Sequence, residues 1–273
     1  MTTTFLVTLA IGSPRFSTNF LQWLANVFVI SPALKQPFMD GAYWSIVYEI
    51  TFYGWVFVLI ATGAFRRHLV TLLFFWLIIS YGNEMLAHSQ LVRRALLTDE
   101  SGFFAAGIVL YQMSGGRRPK RVLMELLLLA VMVAVTQACL KAEWNREHYT
   151  CEFDTVVVAI ISISAIGIVA AAMRVKLRLP TGLIMSIGGL TYPLYLLHQH
   201  IGYMLFNYFS GSASPGVLIG IVTVVMLVGA WIVWRFIERP AQQGTKKLLT
   251  NVVRQVDAAR SRISVCELRE APR

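Results

Sequence analysis

Charge is what this chain has least of: only 14% of its 273 residues are Asp, Glu, Lys or Arg, against about a quarter in ordinary water-soluble domains. That shortage, with 56% hydrophobic residues and a mean hydropathy of +0.62, excludes a soluble globular domain and a disordered chain. Three cysteines exclude a disulfide scaffold, and the odd number leaves one thiol unpaired in any compartment. Cys139 and Cys151 fall near one face, where a disulfide is possible, but unpaired thiols are the preferred reading. No CxxC pair occurs and the five histidines show no metal-ligand spacing with acids, so no metal is expected. The sequence also lacks GxxxxGK[ST] and GxGxxG, which argues against a nucleotide hydrolase. Neither a repeat nor a Gly/Ser linker divides the chain.

What the chain does have is apolar runs. A spanning helix needs about 20 mostly apolar residues, and the pattern predicts an all-α, polytopic membrane helix bundle with seven spans. They run from Ala42 to Thr62, Leu69 to Tyr81, Ser101 to Met113, Val122 to Leu140, Thr155 to Met173, Leu183 to Phe209 and Gly216 to Ile237. The second and third are short unless flanking residues join them. Thr2 to Gly12 is apolar but too short to cross, and without a basic start it does not read as a signal peptide. It reads as a partial helix, so that the chain looks as though it begins in mid-helix.

The net charge of +10, from 24 basic and 14 acidic residues, would point to nucleic acid in a soluble protein. Here the basic residues sit between apolar runs, and no nucleic-acid partner is expected. Loops around Arg66 and Arg67, from Arg117 to Arg121, and around Arg174, Lys176 and Arg178 are basic. From Arg239 onward, eight basic residues face three acidic ones, or +5. Between these, Glu84, Asp99 and Glu100 against Arg93 and Arg94 give −1, and Lys141 to Asp154, with two basic and four acidic residues, gives −2. The alternation places the C-terminus in the cytoplasm and the start of span one outside. Residues 1–238 are read as one membrane domain and 239–273 as a basic cytoplasmic tail. In that tail Val252, Val256, Ala259 and Ile263 fall at helical spacing among arginines. A helix on the anionic membrane surface and a solvated tail both fit this pattern.

Ionisable groups inside a span are costly and point to function. In the first span Glu49 and Tyr53 stand at i and i+4, on one helix face. In the sixth, Thr191, Tyr195 and His198 form another polar stripe. Counted along the helices, Glu49 lies roughly 10 Å below the outer start of its span and His198 roughly 8 Å from the outer end of its own. If the two helices pack together, a carboxylate and an imidazole meet at one level, as deprotonation of a hydroxyl requires. The alternative is structural, with both groups tying helices together by hydrogen bonds. His200 is read as structural, the Trp and Tyr residues at span ends as interface anchors, and Pro193 as a kink or an entry point in span six.

Three stretches are more specific. Asp40-Gly41-Ala42-Tyr43-Trp44-Ser45-Ile46-Val47-Tyr48-Glu49-Ile50-Thr51-Phe52-Tyr53 resembles the W-S-x-x-x-E-x-x-F-Y stretch of the acyltransferase 3 family of membrane O-acyltransferases. Gly188 to Gln199, with Thr191-Tyr192-Pro193-Leu194-Tyr195-Leu196-Leu197-His198, is similar to that family's late S-Y-x-L-Y-L-x-H helix. Trp234 to Pro240 resembles the E-R/K-P that closes its last helix, and Phe103 to Tyr111 adds a weaker match. The likeness runs from about residue 20 to 240.

The resemblance implies about ten spanning helices with both ends in the cytoplasm. It also implies transfer of an acyl group, often acetyl, from cytoplasmic acyl-CoA to hydroxyls of O-antigen, exopolysaccharide or peptidoglycan. The seven spans would be the last seven of that fold, and Phe5 to Gly12 the end of its third helix. Glu49 and His198 are the expected catalytic pair. Trp44, Tyr53 and Tyr195 are expected to line the substrate site, and Arg66 and Arg117 to attract the phosphates of acyl-CoA, although the positive-inside rule accounts for those arginines equally well. The expected partners are membrane lipid and a carbohydrate acceptor, and the expected location is the bacterial inner membrane. The resemblance makes the basic residue and histidine of the family's first helix central to catalysis, that histidine activating the acceptor hydroxyl, and they have no counterpart here, because the sequence begins after that helix. A start upstream of Met1, a truncated remnant without turnover, or helices supplied by another chain would each account for this. A glycan or lipid transporter is the competing function, though the paired repeats and broken helices of such folds are not visible.

Overall fold

The computed structural model describes residues 1–12, 16–115, 119–149, 154–175, 180–251 and 254. Arg117, Lys176, Arg178, Cys151, Cys266 and the tail pattern from Val252 onward fall outside these residues. Within them the chain is helical and contains no strand. The elements are α1 (Thr2–Ile11), α2 (Phe20–Val27), α3 (Trp44–Ala61, entered through a 3-10 turn, Gly41–Tyr43), α4 (Ala64–Gly82, continued by a π-helical turn, Asn83–Ala87) and α5 (Gln90–Leu96). Then come α6 (Ser101–Gly115), α7 (Lys120–His148), α8 (Thr155–Ala172), α9 (Thr181–Tyr208) and α10 (Pro215–Val233, followed by a π-helical turn, Trp234–Glu238).

The all-α membrane class stands; by length and composition five of the helical stretches among the described residues are long and apolar enough to cross a bilayer, which does not confirm the expected seven. The second run passes because it recruits its flanks, Ala64–Ala87 forming 24 helical residues. The third does not, since α6 has only 15 residues. The sixth, α9, has 28 residues, but His198, Gln199, His200 and its tyrosines lower its hydropathy. The Lys141–His148 stretch, expected as loop, continues α7 to 29 residues. It consists of good helix formers, and Arg146 pairs with Glu143 at 3.3 Å. Gly63, at φ +73°, turns α3 into α4 in the left-handed conformation that glycine adopts without steric cost.

The chain divides into two compact units, Met1–Trp44 with Leu179–Arg273, and Ser45–Arg178. In the first, Leu197, Ile201 and Met204 of α9 pack on Leu218, Val222 and Met226 of α10, and Val7 and Ile11 of α1 join them. In the second, Leu69, Leu73 and Leu77 of α4 meet Ala105, Ala106 and Val109 of α6, and Leu126, Ala130 and Val133 of α7. Side chains such as Phe57, Leu128 and Ile168 remain exposed, as lipid-facing residues do. The half-buried Cys139 is a free thiol 3.6 Å from the Thr155 carbonyl.

Small residues let α6 and α7 touch. A Cβ added to Gly102 would lie 2.3 Å from the Ala134 nitrogen and 2.5 Å from its Cα. Backbone atoms cannot step aside as a flexible side chain can. Gly102→Ala is expected to cost about 1–3 kcal/mol through overpacking, seen as a lower unfolding midpoint in detergent. An unchanged midpoint would show that the helices separate freely there.

A polar network closes one end of the second unit. Glu84 accepts hydrogen bonds from Arg93, at 3.2 and 2.6 Å, from Thr98 at 2.6 Å and from Asn83 at 3.0 Å. The Gln137 amide donates to the Thr98 carbonyl and to Ser101, and its oxygen accepts from the Gly102 N–H at 3.1 Å. In the turn before α6, Glu100 pairs with Lys141. Burial pushes the Glu100 carboxyl above its ordinary value of 4.5, the lysine pulls it down, and neighbouring Asp99 adds to the rise. A folded state that holds a proton more tightly than the unfolded one is favoured at low pH. The Glu100 contribution to stability is therefore complete below about pH 4.5 and lost as pH rises through the elevated value. Glu100→Gln is expected to flatten that part of the profile, measured as unfolding midpoint against pH. A Gln variant with the same slope as the parent would assign the effect to another group.

Candidate functional site

The first unit brings together the front of the first sequence motif, Asp40 to Trp44, and the second and third motifs. Asp40 is fully buried, and a buried carboxylate is costly unless hydrogen bonds satisfy it. One oxygen accepts from the Ala42 N–H at 2.9 Å, capping the 3-10 turn. The other accepts from the His200 N–H of α9 at 3.1 Å. Gly41 faces Gln199, whose side-chain nitrogen would stand 2.5 Å from an added Cβ. Tyr43, also buried, shares a 2.7 Å hydrogen bond with Thr4 of α1. The front half of the first motif is thus fastened to α1 on one side and to the second motif on the other.

The third motif joins through Trp234, whose indole presses on Gly189. A Cβ there would fall 1.9 Å from the indole nitrogen. Arg239 lies over the same ring, 5.9 Å from its centroid. Four residues after Gly189 comes the buried Pro193, which cannot donate the helical hydrogen bond that the Gly189 carbonyl would otherwise accept.

The polar stripe expected on this helix lines a cleft. Thr191, Tyr195, His198, Gln199 and Tyr203 of α9 face Val222, Thr223, Met226 and Leu227 of α10 across about 720 Å³. The His198 ring stands 5.9 Å from that of Tyr195, and its Nδ1 lies 2.8 Å from the Tyr195 carbonyl. A carbonyl can only accept, so in the neutral ring Nδ1 carries the proton and Nε2 keeps its lone pair. A side chain lining a cleft with a free imidazole nitrogen is equipped to take a proton from a hydroxyl. His200 has a packing role, its ring edge-on to Phe16 at 4.9 Å.

Glu49 and Tyr53 belong to the second unit, on α3. Glu49 is half-buried and Tyr53 exposed. The neighbouring face of α3 carries the anchors. Tyr48 donates to Asp99 at 2.7 Å, Trp55 donates to the Ala95 carbonyl at 2.7 Å, and Phe52 stacks on Phe104 of the weaker motif at 4.3 Å. Trp44, half-buried, opens α3, and Arg66 is exposed on the first turn of α4. The structure therefore brings Tyr195 and His198 into one cleft and places Glu49, Tyr53 and Arg66 in the other unit. Among the described residues no group of three His, Cys, Asp or Glu stands close enough to hold a metal ion.

Asp40, Gly41, Gly189 and Gln199 have roles that the sequence did not assign. The one local signal was Asp40, a capping residue two positions before Ala42. The acyltransferase domain family, acyltransferase 3, matches residues 2–235. No curated protein and no solved structure matches the chain. Since that match spans most of the sequence, the chain belongs to the acyltransferase 3 family of membrane acyltransferases.

Proposed function

We propose that this chain transfers an acyl group, acetyl in the first instance, from acyl-CoA to a hydroxyl of a cell-surface or exported carbohydrate. The observation that carries the proposal is the cleft in which the Nδ1 of His198 is tied to the Tyr195 carbonyl, leaving Nε2 as an acceptor. In the proposed reaction Nε2 takes the proton of the acceptor hydroxyl while its oxygen attacks the thioester carbonyl. The C–S bond breaks, an ester forms, and the CoA thiolate leaves with the proton. Tyr195 orients the acceptor from α9. Glu49 is kept as a proposed catalytic residue, and Trp44 and Tyr53 as proposed substrate contacts, on α3. Arg66 and Arg117 are assigned to the phosphates of CoA, which guanidinium groups bind well.

As the seven-span reading of the loop charges leads us to expect, those arginines and the C-terminus are assigned to the cytoplasmic side of a bacterial inner membrane. That is where acyl-CoA is available. The test is to supply acetyl-CoA, labelled in the acetyl group, to membrane vesicles from native cells with and without the gene. Alkali-labile label in the envelope carbohydrate is expected only when the gene is present. Equal label in both would overturn the proposal.

A further inference from the structure

We infer that Asp40 is a positioning residue for His198, acting through the backbone of α9. The inference deepens the proposed acyl transfer and rests on it for its activity measurement only. A cap on the 3-10 turn needs a single acceptor, which Asn or Ser would supply as well. Asp40 uses both oxygens, and the second reaches across 160 positions of sequence to the His200 N–H. Its neighbour Gly41 leaves the space that the Gln199 side chain occupies. The two residues that follow His198 are therefore both held by the Asp40-Gly41 pair.

The anchor sits where α9 needs one. Pro193 removes a rung of the helix five residues before His198, so the half of α9 that carries the imidazole is less firmly tied to the half before it. A rigid bond at His200 sets the rotation and height of the next turn back, and with it the direction of the His198 ring into the cleft. Asp40→Asn is the discriminating variant. It is nearly isosteric and keeps one acceptor for the turn, but it turns an amide N–H toward the His200 N–H, donor against donor.

The first test needs no turnover. The purified full chain is treated with diethyl pyrocarbonate, and modification of each histidine is followed by peptide mass spectrometry. His148 is the internal control, since its Nδ1 also lies 2.8 Å from a carbonyl, that of Trp144, in the other unit. In Asp40→Asn the rate at His198 is expected to change by about tenfold, a displacement effect of the size that misaligned groups show, while His148 keeps its rate. An unchanged rate at His198, or equal changes at both histidines, would overturn the inference.

The second test is the labelled acetyl transfer. Asp40→Asn is expected to lower kcat by about 10–100-fold with KM retained, and to have no further effect in a His198→Ala background. Losses that add in the double variant would make Asp40 a structural residue only. If His198→Ala alone leaves transfer unchanged, the acyl-transfer role of His198 fails, and the labelling result still decides whether Asp40 positions it.

Discussion

His198→Ala is expected to lower kcat for acyl transfer by about 10²–10⁴-fold, the range that a positioned acid–base group supplies. The expectation follows from the tautomer that the structure imposes. With its Nδ1 bonded to the Tyr195 carbonyl, the neutral ring presents Nε2 as its basic atom, and no atom of alanine can replace it. His198→Gln sharpens the test, because glutamine restores a polar side chain but no base. Loss of kcat in both variants, with protein still inserted and KM little changed, fits a group that acts in the transition state. Recovery in the Gln variant would make His198 a hydrogen-bonding residue. Unaltered kcat in both would remove it from the mechanism.

Glu84→Ala is expected to be the most damaging single change to stability, at about 3–5 kcal/mol, the usual cost of breaking a buried ion pair from one side. The Glu84 side chain is 7% exposed and that of Arg93 28%. Removing the carboxylate leaves the guanidinium, the Thr98 hydroxyl and the Asn83 amide without the acceptor that all three share. The double variant Glu84→Ala with Arg93→Met is expected to recover part of the loss, since replacing both charges is far cheaper than stranding one. Unfolding midpoints at a fixed scan rate in detergent would show the difference. A single variant within the error of the parent would mean that water already satisfies Arg93.

The same pair shows where reading along the sequence stops being sufficient. Glu84 and Arg93 appeared as two of the charges in an external loop, useful for their sum. Nothing in their nine-residue spacing announces that the π-helical turn after α4 and the short helix α5 face each other. Loop charge therefore describes topology while concealing a buried network. The extension of α7 is a milder case. The residues Lys141 to His148 carry the charge of a loop and the propensity of a helix, and in the structure propensity prevails, with ion pairs to Glu100 and between Glu143 and Arg146.

In the first unit, Thr191, Tyr195 and His198 were legible as a stripe because helical geometry puts positions three and four apart on one face. Asp40 stands in a motif whose local pattern gives it no role beyond a turn cap. Its role depends on an N–H that is 160 positions away in sequence.

The sequence by itself determined the membrane class, the approximate bounds of the helices, the polar stripe on α9 and the family. Each of these is written in hydropathy, helical period or local motif, all of which are properties of neighbouring residues. Only the tertiary structure decided that the motifs of α9, the Asp40 turn and Trp234 form one discontinuous unit. It alone showed that five of the helices are long and apolar enough to span, and that Glu84 and Asp40 are satisfied by distant partners. Those outcomes depend on which helices pack together. Packing is settled by the close approach of small residues such as Gly41, Gly102 and Gly189, whose lack of a side chain leaves no mark in a hydropathy pattern.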